Sequence, residues 1–161
     1  DRYLWTGITQ TRAWREWRLL QRLHQQGLPV PRPVAAHVLH QGPFYRADLI
    51  TERIAGALPL KDVLIARSLP AESFRAIGQM LTRFAAAGVG HADLNVSNIL
   101  CRDEGEFFLI DFDRGRDDAL ARSPQNMLKR LRQSLDKQAT RLPVFHFSPG
   151  DWAQILRGFS P

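Results

Sequence analysis

The chain has 161 residues, of which 44% are hydrophobic and 24% charged, enough apolar material for one ordinary folded core and too much for a disordered tail. Its formal charge of +6 is carried mainly by arginine, because the only lysines are Lys61, Lys129 and Lys137; this favours an acidic partner, whether nucleotide, nucleic acid or anionic lipid. No apolar run reaches the roughly 20 residues of a membrane-spanning helix, Asp1 to Gly7 lack the features of a secretory signal, and the lone Cys101 excludes an intrachain disulfide or a cysteine metal cluster.

The spacing predicts a first helix over residues 11–26, in which Ala13, Trp17, Leu20, Leu23 and His24 recur at helical intervals and Glu16 lies on the same inward stripe. Gly27 stops it, and Pro29, Pro31 and Pro33 forbid its continuation. Extended runs over 34–39 and 44–50 flank Gln41-Gly42-Pro43 and read as a hairpin, which 51–57 then leaves. A short helix over 61–66 precedes a longer one over 71–87, whose Phe74, Ile77, Leu81 and Phe84 form an apolar stripe ending at Gly88. A loop over 91–100 runs into Ile99 and Leu100, and Asp103-Glu104-Gly105 turns the chain into an apolar strand over 107–110. Two helices close the series. The first, over 126–138, sets Met127, Leu128, Leu131 and Leu135 against Lys129, Arg130, Arg132 and Lys137; the second, over 151–157, carries Trp152, Ile155 and Leu156.

Two segments carry acids and amides in a pattern that turn formation alone does not ask for. The first reads His91-Ala92-Asp93-Leu94-Asn95-Val96-Ser97-Asn98; the second is the apolar run Phe107-Phe108-Leu109-Ile110 delivering Asp111-Phe112-Asp113 at its end. Together they give His-x-Asp, Asn five residues later and, after a hairpin, a strand ending in Asp-Phe. Transfer of a phosphoryl group from ATP needs a carboxylate beside the attacking hydroxyl and oxygen ligands that hold magnesium on the phosphates. Asp93 fits the first need, Asn98 and Asp111 the second, and His91 would brace the loop from behind.

These runs resemble the lipopolysaccharide kinase family, which has a protein-kinase-like fold, and the resemblance runs nearly end to end. It is carried by Asp93-Leu94-Asn95, Asn98-Ile99-Leu100 and Leu109-Ile110-Asp111-Phe112-Asp113-Arg114-Gly115-Arg116, and by Asp1-Arg2-Tyr3-Leu4-Trp5-Thr6-Gly7 and Thr11-Arg12-Ala13-Trp14-Arg15-Glu16-Trp17. It implies an α/β (α+β) kinase-like chain in which residues 1–51 are part of a small lobe and residues 52–161 a mainly helical large lobe. It implies that Glu16 pairs with a phosphate-binding lysine, and that the backbone of Glu52 and Ile54, after the second hairpin strand, contacts adenine. The cofactors implied are ATP and Mg2+. The activity implied is transfer of the γ-phosphate to the 4-hydroxyl of a 3-deoxy-D-manno-octulosonic acid (Kdo) residue on a lipid A precursor, an acidic glycolipid, with no nucleic acid partner. The expected place is the cytoplasmic face of the inner membrane.

The chain departs from the protein-kinase pattern at three points. Asp113 stands in place of a glycine after Asp-Phe, Asn95 stands where a lysine often lies near the transferred phosphate, and neither a glycine-rich phosphate loop nor a lysine precedes Glu16. The first two shift the expected acceptor from a protein serine to a small molecule or glycolipid. The third leads us to expect a piece of a longer protein, inactive or nearly so alone. Arg114, Arg116 and Arg122 with the helix around Arg130 and Arg132 either attract an acidic glycolipid or form a solvated face. His24, His37, His40 and His146 read as packed or surface residues, since none has paired metal spacing. Two other readings stay open: a kinase for heptose or another small-molecule hydroxyl, and a pseudokinase or nucleic-acid-binding module.

Overall fold

The computed structural model describes residues 3–103, 105–112 and 123–160, and the chain divides into two compact units, Asp1–Ile54 and Ala55–Pro161. The first unit contains β1 (Tyr3–Leu4), α1 (Arg12–Gln25), β2 (Pro33–Gln41) and β3 (Phe44–Thr51), with the strands antiparallel in the order β1-β3-β2. Gln41 pairs with Phe44, so Gly42-Pro43 forms the two-residue hairpin turn, and Gly42 supplies the positive φ of 58° that its first position needs. Helix α1 buries Ala13, Leu20 and Leu23. His24, in its last turn, is exposed and does not belong to the inward stripe; an imidazole there keeps its water rather than losing it to an apolar contact.

The second unit contains β4 (Leu58–Pro59), α2 (Leu60–Ala66), α3 (Ala71–Ala86), β5 (Ile99–Arg102), β6 (Glu106–Leu109), α4 (Pro124–Arg141) and α5 (Pro149–Gly158). Its strands form a second antiparallel sheet in the order β4-β5-β6. Strand β4 has only two residues and hence no period for a sequence reading to detect. Leu60, Leu64, Phe74, Ile77, Leu81 and Phe84 from α2 and α3 share the buried core with Ile99 and Leu109 from the hairpin and with Met127, Leu131 and Leu135 from α4. Cys101 is buried there too. Helix α4 begins at Pro124, earlier than the apolar spacing suggests, because proline suits the first helical position, where no N–H is needed. At the start of α5 the Ser148 hydroxyl accepts the Asp151 N–H while the Asp151 carboxylate accepts the Ser148 N–H at 2.8 Å.

Helices α3 and α5 meet at two glycines. A Cβ built on Gly78 would lie 2.1 Å from the Ile155 carbonyl oxygen, and one on Gly158 would lie 2.0 Å from the Arg75 carbonyl oxygen. No side chain therefore fits at either glycine. The crossing is stitched by the Thr82 hydroxyl, which donates to Gly78 O at 3.2 Å and accepts the Ser160 N–H at 3.0 Å, and by Arg75, which donates to Gln154 Oε1 at 3.1 Å.

Candidate active site

The loop after α3 and the end of β6 are tied together through His91 and Asn98. His91 is 3% exposed, its Nδ1 accepts the Asp93 N–H at 3.3 Å, and its Nε2 lies 2.9 Å from Ile110 O. A ring that accepts at Nδ1 and faces a carbonyl at Nε2 is the neutral Nε2–H tautomer. Burial drives its pKa below the ordinary 6.5, against the opposing pull of the Ile110 carbonyl and the Asp111 and Asp93 charges, and so favours that neutral form.

Asn98, 9% exposed, makes the second tie: its Nδ2 donates to Asp93 O at 3.2 Å, and its own carbonyl accepts the Ile110 N–H at 3.0 Å. Asn95 completes the loop by capping the short 3-10 turn Val96–Asn98, accepting from Ser97 N at 2.9 Å and donating to Asp93 O at 3.1 Å. Where a lysine often stands, this chain therefore has a loop-ordering amide.

Beyond β6, Phe112 turns inward, with its ring centroid 4.8 Å from His91 and 5.9 Å from Phe84, and Asp111 is exposed. Asp111 makes this reversal in the left-handed region, at φ 63°, which aspartate tolerates better than most residues. Its carboxylate forms no hydrogen bond or ion pair among the described residues, and Asn98 Oδ1 likewise accepts none. One carboxylate and one carboxamide oxygen are hence open, which is the hard-oxygen chemistry that suits magnesium. Among the described residues no three His, Cys, Asp or Glu side chains form a metal cluster, so such an ion would draw its remaining ligands from phosphate and water.

The carboxylate of Asp93 is also open, with the Arg130 guanidinium 3.8 Å from its Oδ1. The sequence reading places Arg130 only on a basic helix face. The neighbouring Arg132 is occupied elsewhere, bonded to Asp136 at 2.8 Å and lying over the Trp152 ring. Helix α4 is held against the loop by Ser134, whose hydroxyl accepts the Val96 N–H at 3.1 Å, a contact that no local pattern announces.

In the first unit Glu16 is partly exposed on α1, and exposed Glu52 is ion-paired with Arg32. Glu52 also donates its N–H to Arg32 O at 2.9 Å, so that N–H is already used, while the Glu52 carbonyl and the Ile54 N–H have no backbone partner among the described residues. Asp113, Arg114, Gly115, Arg116 and Arg122 lie outside the described residues.

The profile of the lipopolysaccharide kinase (Kdo/WaaP) family matches residues 1–159. The chain belongs to this family. It is 40% identical to the 3-deoxy-D-manno-octulosonic acid kinase of Actinobacillus succinogenes, over 99% of this chain and 68% of the relative. It is 45% identical to the enzyme of the same name from Stenotrophomonas maltophilia strain K279a, over 99% of this chain and 64% of the relative, so it spans about two thirds of these relatives' length. Two solved structures share its protein-kinase-like fold. A type VIII aminoglycoside-3'-phosphotransferase, 19% identical, aligns with a TM-score of 0.60 over 89% of this chain and 70% of its own, and a Drosophila melanogaster pseudokinase, 14% identical, with 0.51 over 99% and 50%. The fold expected from the Asp93 and Asp111 segments is thus the fold of this family member.

The bracing histidine has a measurable signature. Its folded pKa is depressed, so below 6.5 the unfolded chain binds the proton first, and stability is lost as pH falls through that window and is fully present above it. Urea midpoints at about pH 7.5 and about pH 5.5 should show this loss, and His91→Gln, lacking the titration, should flatten it.

Proposed function

We propose that the complete protein is a Kdo kinase that moves the γ-phosphate of ATP to the 4-hydroxyl of a Kdo residue on a lipid A precursor, in assembly of the lipopolysaccharide inner core. The observation that carries this reading is the double tie through His91 and Asn98, which fixes the Asp93 and Asp111 backbones to one hydrogen-bonded frame while both carboxylates stay exposed. Family membership and the names of the relatives supply the acceptor.

In this reading Asp93 orients the sugar hydroxyl and takes its proton as the new P–O bond forms and the bond to the leaving ADP breaks. Asn98 and Asp111 hold Mg2+, which when bound neutralises charge on the phosphate oxygens. His91 touches neither reactant; it positions Asp93. We assign adenine contacts to the Glu52 carbonyl and the Ile54 N–H, and to Glu16 the pairing with a phosphate-binding cation. The acidic acceptor suits the arginine-rich composition, and we place the reaction at the cytoplasmic face of the inner membrane, as a peripheral protein. No helix among the described residues is long and apolar enough to cross a membrane.

The test supplies the complete protein with ATP carrying a labelled γ-phosphate and either a Kdo-bearing lipid A precursor or a heptose-bearing acceptor. Label on the Kdo 4-hydroxyl is expected; label on heptose and never on Kdo would overturn the acceptor. In the same preparation Asn98→Ala and Asp111→Ala should each weaken magnesium-dependent nucleotide binding by about 10-fold or more and lower the rate. Titration of nucleotide with and without magnesium reads this directly, and unchanged magnesium dependence would remove both residues from the metal site.

A further inference from the structure

Among the described residues one cation beside Asp93 is not used by the mechanism above. Arg130 reaches Asp93 from α4 at 3.8 Å, too long for a hydrogen bond, and both side chains are about half exposed, 50% and 55%. Such a pair is weak, and it leaves the guanidinium donors uncommitted. No other carboxylate pairs with Arg130 among the described residues, whereas Arg132 and Arg102 are each bonded to an acid of their own. The helix carrying Arg130 is nonetheless rigidly placed, because Met127, Leu131 and Leu135 are buried and Ser134 bonds the loop at Val96. A fixed helix thus presents an arginine with spare donors beside the group taken to receive the acceptor's proton.

Resting on the proposed function, we infer that Arg130 binds the carboxylate of the acceptor sugar beside Asp93. The chemistry fits at close quarters. In a 3-deoxy-2-octulosonic acid a single methylene separates the carboxyl-bearing carbon from the carbon of the 4-hydroxyl, so a residue that neighbours the base is near the acid group as well. Arginine's planar fork matches a carboxylate through two parallel hydrogen bonds, which gives orientation as well as attraction. The phosphates of the lipid A portion lie beyond the glycosidic linkage, farther from the reacting oxygen.

The experiment compares the complete wild-type protein with Arg130→Gln and Arg130→Lys on three acceptors: the Kdo-lipid A precursor, the same molecule with its carboxyl reduced to an alcohol, and the same molecule stripped of its lipid A phosphates. Wild type should lose about 100-fold in kcat/KM on carboxyl reduction, and Arg130→Gln should raise the KM for the acid acceptor by a similar factor with kcat and the nucleotide KM little changed. Arg130→Gln should then no longer distinguish the acid from the alcohol, and Arg130→Lys, keeping the charge without the fork, should fall between. An Arg130→Gln protein that still prefers the acid, a loss confined to kcat, or a dependence on Arg130 that vanishes with the phosphates instead would each overturn the assignment while leaving the kinase reading in place. A wild-type protein that phosphorylates none of the three would sink that reading and this one together.

Discussion

Replacing Asp93 with alanine should lower phosphoryl transfer by the complete protein about 10³-fold, about 4 kcal/mol in the barrier, while leaving the fold and nucleotide affinity nearly unchanged. The separation of effects follows from how the residue is held. Its N–H is bonded to His91 Nδ1, and its carbonyl accepts from Asn95 and Asn98; all three bonds use the backbone and survive truncation of the side chain. What the side chain adds to stability is a half-exposed pair with Arg130, worth at most about 1 kcal/mol. Single-turnover rates beside a thermal melt and a nucleotide titration would check this. Turnover near the wild-type rate would mean that another group accepts the proton.

Gly78→Ala should destabilise the chain by about 3 kcal/mol, a large part of the roughly 5–15 kcal/mol by which a domain is ordinarily stable. Two effects oppose each other here. Alanine in a helix interior is better than glycine by about 1 kcal/mol, but the new methyl would stand 2.1 Å from Ile155 O and 2.8 Å from Phe159 N. Both obstacles are backbone atoms, so no rotamer change relieves them, and α3 must move off α5 with loss of the Thr82 and Arg75 bonds described above. Overpacking outweighs propensity. Gly105→Ala, whose Cβ meets nothing within 4 Å, is the matched control and should shift the urea midpoint little.

The parts of this fold legible in the sequence are those in which a residue's own neighbours decide its state. The stripe Phe74, Ile77, Leu81 and Phe84 is written at helical spacing and is buried as such, and the segments of Asp93 and Asp111, picked out by residue type and interval, are the two that His91 and Asn98 tie together. The Ser148 and Asp151 capping box is equally local and starts the helix at Pro149, two residues before the Asp151 at which the apolar spacing alone begins it. Strand β4 and the approach of Arg130 to Asp93 were not legible, because each depends on a partner far along the chain: Leu58 on Cys101, and Arg130 on a loop on the other side of the β-hairpin. Gly78 carries no signal of its own for the same reason, since only its encounter with α5 makes the missing Cβ matter.

The left-handed turn at Asp111 decides how its charge can be removed without disturbing the backbone. Exchange to glutamate is the poor choice, because its longer chain favours the φ that this position does not have. Asparagine adopts that conformation as readily as aspartate and removes only the charge, so Asp111→Asn separates what the carboxylate does from what the turn does.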